Sequence, residues 1–299
     1  MWKVLALLLL LYSCTPKFKE TVYKRSNNDS IVFLQQGNPY PPLDEEGERY
    51  VYTISRKLQI PIPDRLEIRR FLAFYLRNKS YLERVLSRIT LYDHIITPIL
   101  QKYGLPEELK YLPVVESAYV PFAVSRAGAG GLWQFIPSTA KLYGLKINSE
   151  VDERFDIIKS TEAAARHIRD LYEKFGNWEL VLAAYNCGAG CAERARGDFW
   201  NNKERLPLET RNYVPSFFAV LLLAKYPHKY GLEIEEKPAR VNFTYVRERV
   251  GVREILRDLN LSLWEFRSLN PHIKGDYVPP GSYVYYLSYE MSYSRRRKE

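Results

Sequence analysis

The sequence predicts a mainly α-helical protein that ends in a small α+β module. Apolar residues repeat at helical spacing from about residue 64 onward. From residue 105 shorter helical segments alternate with glycine-rich turns, and after residue 238 two strand-like segments enclose two short helices. With 299 residues and 46 % hydrophobic content, the chain can bury a large core, and these values exclude disorder throughout.

The first 14 residues are typical of an export signal. Lys3 precedes an apolar run at residues 4–12, which is shorter than the roughly 20 residues that span a bilayer. The run ends in Leu11-Tyr12-Ser13-Cys14, which resembles a bacterial lipoprotein signal. We expect Cys14 to carry a lipid anchor, and Thr15 resembles the sorting pattern of outer-membrane lipoproteins facing the periplasm. Ordinary secretion with a free Cys14 is the alternative.

Residues 15–104 are predicted to lead into a catalytic domain. Residues 15–63 are interpreted as a tether and N-terminal segment because they are polar and proline-rich. Residues 64–104 have the apolar stripe of helices that pack on the next domain. Ser80 and Glu83 have the spacing of a capping box, and we expect Pro98 to bend the second helix.

Residues 105–230 are predicted to form the helical catalytic domain. Pro106 suits a first helical position, and Ser160 is expected to cap a helix that Gly176 ends. The segment 178–185 is apolar enough to be a central helix. A last long helix is expected at 209–226, with an interruption near Pro215.

The C-terminal segment 239–288 is predicted to be a small separate module of strand, two helices and strand. Ser262 and Glu265 form a candidate capping box in its second helix. Residues 289–299 are interpreted as a solvated basic tail. The module resembles a LysM-like segment, which implies either glycan binding or a spacer role.

Charge, histidine and cysteine content indicate which partners, metal sites and disulfides to expect. The net charge of +9 favours polyanions such as an anionic membrane or cell-wall polymer. No basic stripe interleaved with aromatics stands out, which argues against nucleic acid. The four histidines form no ligand-spaced cluster, so we expect no metal site. Cys187 and Cys191 lie four residues apart, and both a disulfide and two free thiols are open.

Glu116 is the candidate catalytic acid. Cleavage of a glycosidic bond needs a proton for the leaving oxygen, and a carboxyl group supplies it at neutral pH when burial raises its pKa. Residues 112–115 provide an apolar setting before Glu116. A second carboxylate could come from Asp152, Glu153 or Asp156, although these residues suit a loop and helix start equally well.

The ordered motifs around Glu116 resemble the family 1 lytic transglycosylases, and most of all their membrane-bound D subgroup. The resemblance covers about residues 81–226. Five segments carry it: Leu105-Pro106-Glu107-Glu108-Leu109, Leu112-Pro113-Val114-Val115-Glu116-Ser117-Ala118-Tyr119, Gly131-Leu132-Trp133-Gln134-Phe135-Ile136-Pro137-Ser138-Thr139, Ala183-Ala184-Tyr185-Asn186 and Glu209-Thr210-Arg211-Asn212-Tyr213-Val214-Pro215.

This resemblance implies a lysozyme-like fold and a cofactor-free enzyme that acts on peptidoglycan strands. Family members cut between N-acetylmuramic acid and N-acetylglucosamine and leave a 1,6-anhydromuramyl end. Glu116 would first protonate the glycosidic oxygen and then take the proton of the muramyl C6 hydroxyl, so no water attacks. The alternatives are a lysozyme-type hydrolase of the same bond and an inactive peptidoglycan-binding lipoprotein.

The resemblance also assigns supporting residues on the polar side of the site. Ser117 would hydrogen-bond near the acid or have a structural role in its helix. Ser125 matches a family serine beside the muramyl N-acetyl group. Gln134 would face the groove and bind the sugar.

Three further residues are expected from the last two motifs. Tyr185 would hold Glu116 through its hydroxyl group, Asn186 would order the floor of the site, and Tyr213 matches a tyrosine near the acid.

Overall fold

The computed structural model describes residues 45–289, so Cys14, most of the predicted tether and the basic tail lie outside the described residues. The mainly α-helical class with a small C-terminal α+β unit is confirmed. The first four helices are α1 (Glu45–Ser55), α2 (Leu66–Arg77), α3 (Lys79–Ile89) and α4 (Asp93–Lys102). Across residues 45–289 no helix is both long and apolar enough to cross a membrane.

The N-terminal helices differ from the prediction in three details. Helix α1 lies within residues 15–63, the predicted tether and N-terminal segment, ahead of the helical pattern expected from residue 64, and Val51 is fully buried on it. Helix α3 begins at Lys79 after Asn78, so the Ser80 capping box is wrong. The carboxylate of Glu83 instead accepts the backbone N–H of Glu233 at 2.7 Å. The chain turns between α3 and α4, ahead of Pro98, which lies inside α4.

Residues 105–230 form short helices around one long apolar helix. A 3-10 helix (Glu107–Tyr111) leads into α5 (Leu112–Ser117), and the remaining helices are α6 (Pro137–Leu142), α7 (Ile157–Phe175), α8 (Trp178–Cys187), α9 (Ala189–Ala192), α10 (Phe199–Asn202) and α11 (Leu208–Lys225). Helix α11 is buried on nearly every side from residue 213 to 223. It packs on α2, α5 and α8 and thereby forms the centre of the core.

Two predicted features of these helices are wrong. Helix α11 is continuous through Pro215, because the burial of its apolar side chains outweighs the one backbone hydrogen bond that proline lacks. Helix α7 begins at Ile157 and is capped by Asp156, whose Oδ1 accepts the N–H of Lys159 at 2.9 Å. Ser160 is therefore inside the helix. Gly176 ends α7 in the left-handed conformation, as its lack of a Cβ allows.

The C-terminal unit has the predicted strand-helix-helix-strand order. Strand β1 (Ala239–Val246) pairs antiparallel with β4 (Ser282–Tyr289). Between them lie β2 (Val250–Gly251), α12 (Val252–Asp258), α13 (Leu263–Leu269) and β3 (Tyr277–Val278), and the two-residue β2–β3 ladder was not expected. The capping box of Ser262 and Glu265 is confirmed.

This C-terminal unit shares a hydrophobic core with the helical half of the protein, residues 45–230. One face of the β1–β4 sheet, with Val241 and Tyr285, joins the main hydrophobic core, whereas Val246 and Val284 belong to a small core under α12 and α13. The alternation of a strand explains this, since successive side chains point to opposite faces. The unit therefore packs on the helical half with one face of its sheet and on its own two helices with the other.

Candidate active site

Glu116 lies in the last turn of α5, at an abrupt end of that helix. Ala118 and Tyr119 follow with φ angles of 51° and 60°, and such left-handed angles are costly for non-glycine residues. Two contacts hold them there. Tyr119 is fully buried, with its hydroxyl group donating to the carbonyl of Lys110 at 3.1 Å. Arg88 donates to the carbonyl of Ala118 at 2.8 Å. The helix end that presents Glu116 is thus fixed by packing from outside α5.

The carboxyl group of Glu116 is partly buried and accepts a hydrogen bond from the hydroxyl group of Tyr213. The pKa of Glu116 is raised to about 7. Burial is the main cause and the negative charge of Glu209 adds to it, whereas the Tyr213 hydrogen bond lowers the pKa. A carboxyl group with this pKa exchanges its proton readily near neutral pH. It can therefore act as an acid in one step and as a base in the next.

Tyr213 lies beside the acid as expected, whereas Tyr185 has another role. Tyr213 holds Glu116, whereas the hydroxyl group of Tyr185 donates to the backbone carbonyl of Trp133 at 2.8 Å. The expectation that Tyr185 holds the acid through its hydroxyl group is wrong. Burial raises the pKa of both tyrosines well above the usual value, so both stay protonated donors. Tyr185 ties α8 to the loop before α6.

That loop follows a path that needs glycine at one point. Gly131 has a φ of 82°, and a Cβ atom there would lie 1.9 Å from the carbonyl oxygen of Arg154. Gln134, with a φ of 49°, donates from Nε2 to the carbonyls of Gly131 at 2.8 Å and Ala123 at 3.2 Å. The side-chain nitrogen of Gln134 thus connects two parts of the loop. Its Oε1 atom accepts no hydrogen bond from residues 45–289, and sugar binding by Gln134 stays a prediction.

Ser125 and Ser117 bind backbone groups close to them in sequence. The Oγ atom of exposed Ser125 accepts the N–H of Ala129 at 3.0 Å, which leaves its hydroxyl hydrogen for another acceptor. Ser117 donates to the carbonyl of Pro113 at 3.2 Å, within its own helix. This geometry corresponds to the structural role considered for Ser117, and the substrate contact of Ser125 stays a prediction.

Asn186 joins the end of α8 to the start of α11. Its Oδ1 accepts the hydroxyl group of Thr210 at 2.7 Å, and its Nδ2 donates to Glu209 at 3.4 Å. Sequence reasoning missed Glu209 as a site residue. The sequence could have indicated it, because Glu209 lies in the last motif four residues before Tyr213, and residues at that spacing share one face of a helix.

The three acids considered as a second carboxylate are used elsewhere. Asp152 forms an ion pair with Arg154 at 2.8 Å, and Glu153 pairs with Lys159. Asp156 caps α7 and accepts the hydroxyl group of Tyr285 at 2.7 Å. All three are buried. Of the three, Asp156 connects α7 to the C-terminal unit through its side chain. The carboxylate whose charge raises the pKa of Glu116 is Glu209.

Cys187 and Cys191 form a disulfide across the turn between α8 and α9, with Cα atoms 5.8 Å apart. The sequence had left their redox state open. The bond follows directly after Tyr185 and Asn186 and closes the end of the helix that carries them. In the described part of the chain, no cluster of three or more His, Cys, Asp or Glu side chains has the arrangement of a metal site.

Several known proteins are similar to this chain in sequence. Residues 94–206 match the family described as "Transglycosylase SLT domain". Membrane-bound lytic murein transglycosylase D of Escherichia coli strain K12 is 36 % identical over 245 residues, which is 77 % of this chain and 53 % of that protein. The chain thus spans about half the length of this relative. Peptidoglycan transglycosylase gp16 of Escherichia phage T7 is 32 % identical over 151 residues, 48 % of this chain and 11 % of that protein.

A solved structure, the 70 kDa soluble lytic transglycosylase of Escherichia coli, aligns at a TM-score of 0.37 and 23 % identity, over 56 % of this chain and 32 % of that one. The family match includes Glu116, Gln134 and Tyr185. On the evidence of this match and of the identity to the Escherichia coli relative, residues 94–206 of the chain are a transglycosylase SLT domain.

Proposed function

We propose that this protein is a peptidoglycan lytic transglycosylase. It would cleave the β-1,4 bond between N-acetylmuramic acid and N-acetylglucosamine without water and leave 1,6-anhydromuramyl ends. The observation that carries the proposal is the environment of Glu116, a partly buried carboxyl group with a pKa of about 7 that is held by Tyr213. The names of the relatives, lytic murein transglycosylase and peptidoglycan transglycosylase, support the same substrate.

In the proposed reaction one carboxyl group moves one proton in each direction. Protonated Glu116 donates its proton to the glycosidic oxygen, the bond from that oxygen to C1 breaks, and the N-acetylglucosamine side leaves as an alcohol. The Glu116 carboxylate then removes the proton of the muramyl C6 hydroxyl group, whose oxygen bonds to C1. Glu116 ends protonated, as it began. Its pKa suits both steps, because neither form is strongly favoured at neutral pH.

The second candidate function is a lysozyme-type hydrolase, and Glu209 is the observation that favours it. Hydrolytic glycosidases use two carboxyl groups, the second as nucleophile or as base for water. Glu209 is a carboxylate on the same helix as Tyr213 and acts on Glu116. Its Oε1 accepts from Asn186, however, which is more consistent with a supporting role.

Product analysis separates these functions. Purified sacculi would be digested, and the released muropeptides would be identified by mass spectrometry. Anhydromuramyl ends, absent with a Glu116→Gln variant, are the expected result. Reducing muramic acid ends would assign the hydrolase instead. Binding to sacculi without release of soluble fragments would indicate the inactive peptidoglycan-binding protein.

We further propose that the enzyme works in the cell envelope, held by a lipid on Cys14 at the periplasmic face of the outer membrane. The support is the segment 11–14 and the membrane-bound designation of the relative. In fractionated cells the protein would sediment with outer membranes, and Cys14→Ala would release it. Unchanged membrane partitioning of the variant would contradict the anchor.

A further inference from the structure

Glu209 and Thr210, the second and third residues of α11, hold the amide of Asn186 from both ends. Glu209 accepts from Nδ2 at 3.4 Å, and Thr210 donates to Oδ1 at 2.7 Å. The Glu209 carboxylate can only accept, whereas the Thr210 hydroxyl group can donate or accept, so Glu209 decides the orientation: the reversed amide would place Oδ1 against the carboxylate. Asn186 thus has a defined direction next to Tyr185, in a helix end closed by the disulfide.

Glu209 also supplies charge to the site. Within residues 45–289, the groups that act on Glu116 are the hydroxyl group of Tyr213, through its hydrogen bond, and the Glu209 carboxylate, through its charge. Tyr185, on α8, is near Glu116 and stays neutral. Because Glu209 is exposed, solvent and salt screen its effect.

We propose that Glu209 is a positioning residue of this active site: its carboxylate, one helical turn before Tyr213, fixes the direction of the Asn186 amide and adds a negative charge to the site. This inference rests on the proposed function and extends it to a residue outside the matched domain, which ends at residue 206. The two contributions are separable by substitution. Glutamine keeps an acceptor for Asn186 and loses the charge, whereas alanine loses both.

The experiment compares Glu209→Gln and Glu209→Ala with Glu254→Gln, a matched control on α12 that removes one exposed carboxylate far along the chain. The first measurement follows the carbon NMR signal of the Glu116 carboxyl group in labelled protein against pH. We expect both Glu209 variants to lower the midpoint by about half a pH unit, the size typical of an exposed charge pair. Raising the salt concentration should move the wild-type midpoint towards that of Glu209→Gln. The control should titrate as the wild type does.

The second measurement is the rate of muropeptide release. The basic limb of the pH profile should move to lower pH in both Glu209 variants. Glu209→Ala should in addition raise KM several-fold, with Glu209→Gln close to the wild type, because only alanine frees the Asn186 amide. Unshifted Glu116 titration in both variants would overturn the inference. So would a loss of a thousandfold or more in Glu209→Gln at unchanged KM, which would make Glu209 a general base. The NMR titration needs no turnover. A wild-type protein without activity would therefore contradict the proposed function and leave the role of Glu209 to be decided by the titration.

Discussion

Tyr213 donates its hydroxyl hydrogen bond to Oε1 of Glu116, a residue 97 positions earlier in the chain. The contact joins α11, the central helix of the core, to the end of the short helix α5. Both partners are set by packing: Tyr213 is buried in α11, and the end of α5 is held by Arg88 and Tyr119. The acid therefore sits in a preformed position, as proton transfer in a fixed geometry requires.

Glu116→Gln should remove activity and stabilise the protein above neutral pH. Activity should fall by roughly 10² to 10⁴, the usual contribution of a general acid-base group. Because burial raises the folded pKa from 4.5 to about 7, ionising Glu116 destabilises the fold progressively as pH rises across that interval. At pH 8 the variant should gain roughly 3 kcal/mol at most, and at pH 4 nothing. Urea unfolding at both pH values measures this, and equal stability changes at the two values would contradict the buried carboxyl.

Tyr213→Phe should raise the pKa of Glu116 further, because the Tyr213 hydrogen bond is the interaction that lowers it. The basic limb of the activity profile should then move to higher pH, opposite to the shift expected for the Glu209 variants. The rate at neutral pH should fall about tenfold to a hundredfold, as for the loss of one hydrogen bond to a charged group. Tyr172→Phe, on the exposed side of α7, is the matched control. A shift to lower pH would show that another residue holds the acid.

Reduction of the Cys187–Cys191 disulfide should destabilise the fold by about 2 kcal/mol, the chain-entropy value for so short a loop. Thermal unfolding with and without dithiothreitol gives the difference, and peptide mapping identifies the cross-link. The Cys187→Ser, Cys191→Ser double variant should not respond to dithiothreitol. Alkylation of both cysteines in the untreated protein would mean that the thiols are free.

Tyr285→Phe should weaken the attachment of the C-terminal unit. The Tyr285 hydroxyl group donates to buried Asp156 at 2.7 Å and accepts the N–H of Ile158 at 3.0 Å, so its removal leaves two buried polar groups short of a partner. A loss of roughly 2 kcal/mol is expected, while the exposed Tyr245→Phe should cost little. Because the unit shares the main core, the wild type should unfold in one transition. Separate unfolding of residues 239–289 would contradict this.

Sequence alone determined the helical class, the order of the motifs and the choice of Glu116. These depend on periodicity within a segment and on short motifs, where residues close in sequence are close in space. It could not assign the tyrosine that holds the acid. Tyr185 and Tyr213 are equivalent in pattern, and only the packing of α8 and α11 directs one hydroxyl group to Trp133 and the other to Glu116.

The tertiary structure likewise decided the state of Cys187 and Cys191, the merging of the C-terminal unit with the main core and the place of Glu209. Each depends on a backbone path or on contacts between segments far apart in the chain. In sequence, Val241 and Tyr285 have the ordinary alternation of strand residues. Only the structure shows that their face of the sheet packs against the helical half. Local pattern specifies the elements, whereas burial of their remaining apolar faces specifies which side chains meet.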